Sequence, residues 1–215
     1  MNTDHNVGDK MKIEQALEEL RKHEKRKFNQ SVDVIINLKG LDLKRENINA
    51  VITLPHKIKD KKICGFFDKK SESVDSITKP EFPKYKDKKA LRKLIKEYDF
   101  FIASAHLMPT VAATFGKVLG PSGKMPSPQL GILNNENDET IKQVSDRITK
   151  SIKIRVKEAS IKTTIGNETM KNEQIIENFN AFYNGIVNVL PTKRDNIKNI
   201  MLKFTMTKPL KLEAN

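Results

Sequence analysis

Residues 88–104, "KKALRKLIKEYDFFIAS", combine two periodicities that decide the fold of the middle of the chain. Leu91, Leu94 and Tyr98 recur at helical spacing, and the apolar run "FFIA" follows directly. A helix that leads into a short, continuous apolar strand is typical of a parallel α/β sheet. The stretch therefore predicts an α/β unit, with a parallel sheet, in the middle of the chain.

The segments on either side each predict strands and a helix, but neither segment alone has enough of them to complete a core. Residues 31–40 and 197–212 alternate apolar and polar side chains, which indicates half-buried strands. Residues 11–27 and 173–191 place apolar side chains at helical spacing. We therefore expect one discontinuous domain from both ends of the chain, with the α/β unit inserted into it. The polar residues 68–88, with two prolines, predict a loop.

The charge balance indicates a polyanionic partner. Of the 215 residues, 40 are Lys or Arg and 27 are Asp or Glu, a formal net charge of +13. The excess is spread along the chain, with +4 in residues 1–64, +4 in 65–151 and +5 in 152–215. Nucleic acid is the first candidate partner, and the fold must build its binding surface from distant cations.

Composition also bears on localisation. No apolar run approaches the roughly 20 residues of a membrane-spanning helix, and the first residues lack the apolar segment of a secretory signal. Cys64 is the one cysteine, so no internal disulfide forms, and its apolar surroundings predict a small buried side chain rather than a nucleophile. We expect a cytoplasmic protein.

The stretch "FGKVLGPSGKMPSP", residues 115–128, resembles a phosphate-binding loop but fails the motif. A P-loop has a glycine five residues before the glycine of its Gly-Lys pair, and a Ser or Thr directly after the pair. Val118 and Met125 occupy these positions around Gly123 and Lys124. A nucleotide-using enzyme centred on Lys124 is therefore disfavoured, and we interpret the stretch as a rigid, basic loop.

Other catalytic or metal-binding constellations are not seen at short spacing. His5, His23, His56 and His106 are scattered, and none has a second ligand nearby in the sequence. Ser104 and His106 follow a predicted strand, but the sequence nominates no acid to complete a triad. No catalytic residue, cofactor or metal is expected.

Phe28 stands between a basic cluster, "RKHEKRKF" (residues 21–28), and the first predicted strand. An aromatic ring beside lysines suits stacking on a base or ribose, although the pattern alone favours a core residue. The cluster itself is typical of a solvated helix end, where lysines favour the helix dipole.

Six segments occur in the order found in one protein family: "KFNQSVDVIINLKG", "LPH", "DFFIASAHLMP", "GKVLGPSGKMPSP", "IGNETM" and "LKFTMTKP". They span nearly the whole chain, which resembles the large-subunit ribosomal protein L-one family of the mobile ribosomal stalk, in an archaeal-like form. The resemblance implies an α/β (α+β) fold with two domains. The first is a discontinuous two-layer α/β sandwich from residues 1–64 plus 152–215, and the second is an inserted Rossmann-like three-layer α/β domain at 65–151. The inserted domain is about one helix shorter than usual between Phe67 and Lys88.

The resemblance also implies a function. Members are cytoplasmic constituents of the large ribosomal subunit that bind ribosomal RNA of the stalk and assist release of deacylated tRNA from the exit site. Many also repress translation of their own mRNA. The resemblance implies no enzyme activity, no small-molecule substrate and no membrane partner. The implied RNA-binding residues are Lys27, Phe28, Ser31, Arg155, Lys157, Gly166, Asn167, Thr205, Met206 and Thr207.

Thr207 departs from the family, which has glycine at this position. Glycine tolerates positive φ and lets an RNA backbone approach closely, whereas a β-branched residue fills that space. We therefore expect the contact at Thr207 to be weaker or rearranged. The remaining alternative is a non-ribosomal relative of the same fold that acts in ribosome assembly, although such relatives usually lack the intact glycine-proline stretch.

Overall fold

The computed structural model describes residues 11–23, 26–41, 48–71, 73–85, 87–156 and 158–213. The chain divides into two compact units, one formed by Met1–Ile58 with Lys150–Asn215 and the other by Lys59–Thr149. The predicted boundaries after residues 64 and 151 differ from these. A boundary after residue 64 would cut the strand Ile63–Phe67, which belongs wholly to the inserted unit.

The helices are α1 (Ile13–Lys22), α2 (Lys88–Glu97), α3 (Met108–Ser122), α4 (Asp138–Lys150) and α5 (Asn172–Val189). The strands are β1 (Ser31–Leu38), β2 (Asn49–Thr53), β3 (Ile63–Phe67), β4 (Asp75–Thr78), β5 (Phe100–Ser104), β6 (Ile132–Leu133), β7 (Ser151–Arg155), β8 (Ser160–Asn167), β9 (Ile197–Phe204) and β10 (Leu210–Leu212). Within the described residues, no helix has the length and apolar character that crossing a membrane requires.

The first unit is built on an antiparallel sheet in the order β10-β9-β1-β8. Every second side chain of β1 is buried, as its alternation predicted, including Val32, Val34 and Ile36. Leu17 of α1 and Phe182 of α5 belong to the same core. The helices therefore pack on one face of the sheet, and this two-layer arrangement agrees with the expected sandwich.

A separate two-stranded sheet of β2 and β7 packs into the same core. The pair is antiparallel, with Asn49 opposite Arg155. Gly185 of α5 lies against β2, where an added Cβ would come within 2.8 Å of the Ile52 side chain. Glycine therefore allows the close approach of helix and strand at this point.

The inserted unit contains a sheet in the order β4-β3-β5-β6, and all of its strand pairs are parallel, as the alternation of helix and strand predicted. Cys64, Phe66 and Phe101 on one face form a core with residues of α2 and α3. Phe115 of α3 packs against Phe66 with the ring centroids 4.8 Å apart. This aromatic contact fixes α3 against the centre of the sheet.

The other face of the parallel sheet is covered by α4. Ile63 and Ile102 are buried on this face, outside the core that α2 and α3 share. Ile141 and Ile148 of α4 are also buried, and Lys61, just before β3, donates to the carbonyl of Ile148 at 3.0 Å. Helices thus lie on both faces of the sheet, which is the three-layer α/β arrangement that was expected.

The connection from β3 to β4 is unusually short. Parallel neighbours usually need a crossover of a dozen or more residues, most often a helix, whereas residues 68–74 make this connection with no helix among the described ones. A cavity of about 520 Å³, lined by Ile63, Ser73 and Ser145 among others, lies beside it.

The loop predicted for residues 68–88 is wrong in part, because β4 and the 3-10 helix Lys79–Tyr85 lie within it. Phe82 of this helix is buried and meets Phe66 edge-on at a centroid distance of 5.8 Å. The sequence signal was weak because β4 buries only Ile77 of its four residues, and prolines in the 3-10 helix suggested a loop.

The glycine-proline stretch is largely helical, so the interpretation as a loop is wrong for residues 115–122. α3 continues to Ser122 and holds Pro121 in its last turn. Val111, Phe115 and Leu119 are fully buried at a spacing of four residues, so the apolar stripe of the helix runs through the glycines. Packing therefore overrides the helix-breaking tendency of the local sequence.

Lys124 has a structural role in this unit. Gly123, with a φ of 72°, ends α3 in the left-handed conformation. The Lys124 ammonium then donates to the carbonyl oxygens of Ile95 and Tyr98, both at 2.7 Å. These carbonyls lie at the C-terminal end of α2, where backbone acceptors lack helical partners and a cation is favoured by the helix dipole. The Lys124 ammonium thus stabilises the end of α2 and is not positioned as the lysine of a phosphate-binding loop.

Cys64 is a buried core side chain, as expected. Its exposed fraction is 1%, and burial, with the charges of Asp75 and Glu97, raises the pKa of its thiol to about 12. The thiol stays protonated near neutral pH and is neither a nucleophile nor a ligand there.

We predict that Lys124→Ala lowers the free energy of unfolding by about 1–3 kcal/mol, because two charge-assisted hydrogen bonds are lost and the carbonyls of α2 are left unpaired. Lys117→Ala, an exposed lysine on the same helix, is the control and should change stability by less than about 0.5 kcal/mol. Urea denaturation followed by circular dichroism measures both. Equal effects of the two substitutions would contradict the assigned role of Lys124.

Candidate RNA-binding interface

Two of the predicted RNA-binding segments meet at one end of the antiparallel sheet. The Ser31 N–H donates to Thr205 Oγ1 at 3.0 Å, and the Thr205 N–H donates to the Ser31 carbonyl at 3.2 Å. Their hydroxyl oxygens are 3.0 Å apart. The fold therefore joins residues that lie 174 positions apart in the chain. We call Lys27, Phe28, Ser31, Thr205, Met206 and Thr207 the sheet-end surface.

Gln30 connects these segments and was missed by the sequence analysis. Its side chain is 2% exposed, and its Oε1 accepts the Met206 N–H at 3.2 Å. Its carbonyl accepts the Glu168 N–H at 2.9 Å. A glutamine outside any periodic pattern carries no sequence signal for such a role, which depends on contacts with the segments that follow β8 and β9.

Phe28 and Met206 are exposed on this surface. Their exposed fractions are 52% and 61%. Val189, at 39%, is the one other exposed large hydrophobic residue in the described part of the chain. The interpretation of Phe28 as a core residue is therefore wrong. Two exposed apolar side chains on adjoining segments, next to Lys27, form a surface on which a base can stack.

Gly166 and Asn167 adjoin the same edge but make internal contacts. In the antiparallel register Asn167 lies opposite Ser31. Its side-chain amide donates to the carbonyl of Ile58 at 2.6 Å. Gly166 is buried, and a Cβ there would come within 3.2 Å of the Ile175 side chain of α5. The structure therefore shows that Gly166 allows helix packing, and that Asn167 supports the edge.

Arg155 is not joined to this group. It lies at the end of β7 in the two-stranded sheet, and the chain from it enters β8 at Ser160, the end opposite Asn167. An eight-residue strand spans about 25 Å. Partial burial and the neighbouring Arg155 charge lower the pKa of Lys153 on the same strand. The prediction for Lys157 lies outside the described residues.

Thr207 closes the turn after β9. Its hydroxyl accepts the Phe204 N–H at 2.9 Å, and its own N–H donates to the Phe204 carbonyl at 3.2 Å. Among the described non-glycine residues only Lys193 has a positive φ, so this turn does not need glycine at position 207. The threonine replaces conformational freedom with a side-chain hydrogen bond.

The basic cluster is only partly a solvated helix end. α1 ends at Lys22, and Arg21 in its last turn binds the connection between β8 and α5. The Arg21 guanidinium donates to the carbonyls of Glu168 and Met170 at 3.1 and 2.6 Å and to Asn172 Oδ1 at 2.7 Å. Arg21 is therefore exposed, as a solvated helix end predicts, but it also binds this connection through three hydrogen bonds.

The face of the sheet opposite the helices extends the cationic character of this end. Lys203 of β9 lies opposite Asp33 of β1, two residues from Ser31. Lys162 lies opposite Ile35 on one side, and Met201 lies opposite Ile35 on the other. Met201 in turn pairs with Lys211, so Lys162 and Lys211 lie in the same row across the sheet. These lysines were not among the predicted RNA-binding residues, although their alternation with buried residues marks them as outward-facing.

The structure places a carboxylate, that of Asp68, beside His106, whereas the sequence identified no acid to complete a triad with Ser104 and His106. His106 Nε2 lies 2.6 Å from Asp68 Oδ2, and its Nδ1 lies 2.9 Å from Ser104 Oγ. The ring orientation is the reverse of a serine protease triad, in which Nε2 faces the serine. Ser104 is also 0% exposed, so its hydroxyl cannot meet a substrate.

Comparison with known proteins identifies the family. The profile described as "Ribosomal protein L1p/L10e family" matches residues 20–208. The chain belongs to this family. The match includes both halves of the sheet-end surface, so the family resemblance and the observed edge concern the same residues.

Relatives are similar over nearly their whole length. "Large ribosomal subunit protein uL1" of Pyrobaculum islandicum is 34% identical over 97% of this chain and 96% of that protein. The protein of the same name from Pyrococcus horikoshii is 35% identical over 96% and 97%. That from Korarchaeum cryptofilum is 35% identical over 85% and 84%. These archaeal relatives confirm the expected resemblance, and their names describe a ribosomal protein rather than an enzyme.

We predict that Phe28→Ala and Met206→Ala each change the free energy of unfolding by less than about 0.5 kcal/mol, because both side chains are exposed. Phe204→Ala, which removes a neighbouring ring that is 1% exposed, should cost about 3–5 kcal/mol. Urea denaturation of the three variants tests the assignment. If Phe28→Ala lowered the free energy of unfolding by more than about 2 kcal/mol, Phe28 would be a core residue and the assignment would be wrong.

Proposed function

We propose that this protein is a constituent of the large ribosomal subunit that binds ribosomal RNA through the sheet-end surface. The observation that carries the proposal is the exposure of Phe28 and Met206 on two segments joined by the Ser31 and Thr205 hydrogen bonds. Leaving large apolar side chains in water on a rigid edge contributes nothing to folding, and a ligand that covers them explains their placement. The family match supports RNA as that ligand.

The groups of this surface suit structured RNA. The Lys27 ammonium neutralises a phosphate, and the ring of Phe28 offers a face to a base or ribose. The Ser31 hydroxyl donates to Asp33 Oδ1 and lies 3.0 Å from the Thr205 hydroxyl. Each of the two oxygens keeps a lone pair that can accept a hydrogen bond from a sugar 2′-OH. Lys203 adds a cation on the open face, opposite Asp33. Together these groups favour recognition of RNA shape and backbone over reading of base sequence.

We further propose that the bound RNA is the stalk region near the tRNA exit site, and that the protein assists release of deacylated tRNA. The ordered segments that resemble the ribosomal L-one family support this finer function. In the same proposal, the sheet-end surface binds a matching structure in the protein's own mRNA and represses its translation. A single surface serves both RNAs only if their shapes are alike, because it makes few contacts that depend on base identity.

The alternative function is that of a non-ribosomal relative acting in ribosome assembly. The intact glycine-proline stretch favours the ribosomal function, as does similarity to ribosomal relatives over nearly their full length.

Co-sedimentation with ribosomal particles distinguishes the ribosomal function from the assembly function. We expect the protein to remain with mature large subunits after a moderate salt wash, at a stoichiometry near one per subunit. Recovery only with precursor particles would favour the assembly function.

Binding to purified large-subunit ribosomal RNA tests the surface directly. Phe28→Ala should weaken binding about 5- to 150-fold at fixed salt, since stacking is worth about 1–3 kcal/mol per base. Lys27→Ala should reduce the slope of log affinity against log salt by about 1. Lys142→Ala, an exposed lysine of α4, is the matched control and should have little effect. Equal, small losses for all three variants would show that the surface is wrong.

A further inference from the structure

A second cluster of functional groups lies in the inserted unit, at the carboxyl ends of its parallel strands. Asp68 directly follows β3, His106 lies in the 3-10 helix that follows β5, and Glu136 follows β6. β3 is flanked by β4 on one side and β5 on the other, so the chain changes direction between β3 and β5. In sheets of this kind the crevice at such a switch point is where ligands bind.

The three side chains converge on one point. His106 Nε2 lies 2.6 Å from Asp68 Oδ2 and 3.8 Å from Glu136 Oε1. One ligand atom from each residue can be chosen so that all three lie within 4.8 Å of one another. The Asp68 N–H also lies 3.3 Å from both carboxylate oxygens of Glu136, which orients this carboxylate towards the same point. Residues far apart in the sequence thus present one nitrogen and two carboxylates together.

Ser104 holds the imidazole in the orientation that this convergence needs. Its hydroxyl is buried at the end of β5 and lies 2.9 Å from His106 Nδ1. When Nε2 acts as a ligand the ring proton resides on Nδ1, and the Ser104 oxygen is placed to accept it. A second hydrogen bond of this kind is the usual companion of a metal-binding histidine.

We propose that Asp68, His106 and Glu136 bind a divalent first-row transition-metal ion, with Zn²⁺ as the representative ion. An imidazole nitrogen favours such ions over Mg²⁺ and Ca²⁺, and the two carboxylates balance the ionic charge. The half-exposed side chains of His106 and Asp68 leave the remaining coordination positions to water. The bound ion links the loops after β3, β5 and β6 and so stabilises the inserted unit.

The sequence predicted no metal site because no histidine has a second ligand at short spacing, whereas these three ligands come from separate loops. Cys64 is no competing ligand, because it is a buried, protonated thiol.

His56 provides an internal comparison. Its Nε2 lies 2.6 Å from Glu177 Oε2, the same distance as in the His106 pair. No third ligand joins His56 among the described residues, and so it serves as a matched control.

Isothermal titration of ZnCl₂ into the full, tag-free chain tests the proposal, with His106→Gln, Asp68→Asn and His56→Gln compared with wild type. We expect one Zn²⁺ per chain, at least about a tenfold loss of affinity in His106→Gln and Asp68→Asn, and wild-type affinity in His56→Gln. The absence of saturable binding in the wild type would overturn the proposal. So would equal affinity of the wild type and the His106→Gln chain.

Two further measurements keep the test independent of folding. Zn²⁺ should raise the thermal unfolding midpoint of the wild type and of His56→Gln, but not of His106→Gln. Ser104→Ala should weaken binding about 10- to 100-fold while leaving one ion per chain, as expected for a positioning residue. If His106→Gln fails to fold, the Zn²⁺ affinities of Asp68→Asn and Glu136→Gln test the proposal instead. Unchanged Zn²⁺ affinity in both would overturn the proposal.

Discussion

The pairing of β1 with both β8 and β9 holds the first unit together. β1 is the central strand that joins the two ends of the chain, and its buried residues Val32, Val34 and Ile36 complete a core that neither end builds alone. Because strand side chains alternate, a one-residue slip would expose this apolar row and bury the polar one. The register is therefore strongly specified, and it sets which residues meet at the end of the sheet.

The same register explains why the sheet end presents so many polar and exposed groups. Ser31 begins β1, Asn167 ends β8 and Thr205 follows the last residue of β9, so all three lie in one row. Internal hydrogen bonds of Gln30, Thr205 and Thr207 satisfy the backbone where the strands stop. Phe28 and Met206 take no part in that packing and stay exposed on a rigid support. A preformed surface of this kind pays little conformational entropy when it binds.

Periodic segments could be predicted from the sequence, and roles that depend on distant contacts could not. The alternation of β1 and the apolar stripe of α5 have a single consistent interpretation, so both elements were predicted. Glycine and proline suggested a loop in the last two turns of α3, where buried Phe115 and Leu119 maintain a helix. The exposure of Phe28, the capping role of Lys124 and the partner of His106 each depend on residues far away in the chain. No local pattern encodes them.

We propose that RNA contacts the first unit at the end of its antiparallel sheet. Ultraviolet cross-linking of the full protein to large-subunit ribosomal RNA, with mass-spectrometric mapping of the cross-linked peptides, tests it most directly. We expect cross-links in the peptides that contain Phe28 and Met206, and loss of the Phe28 cross-link in Phe28→Ala. Cross-links confined to peptides of the inserted unit, Lys59–Thr149, would contradict it.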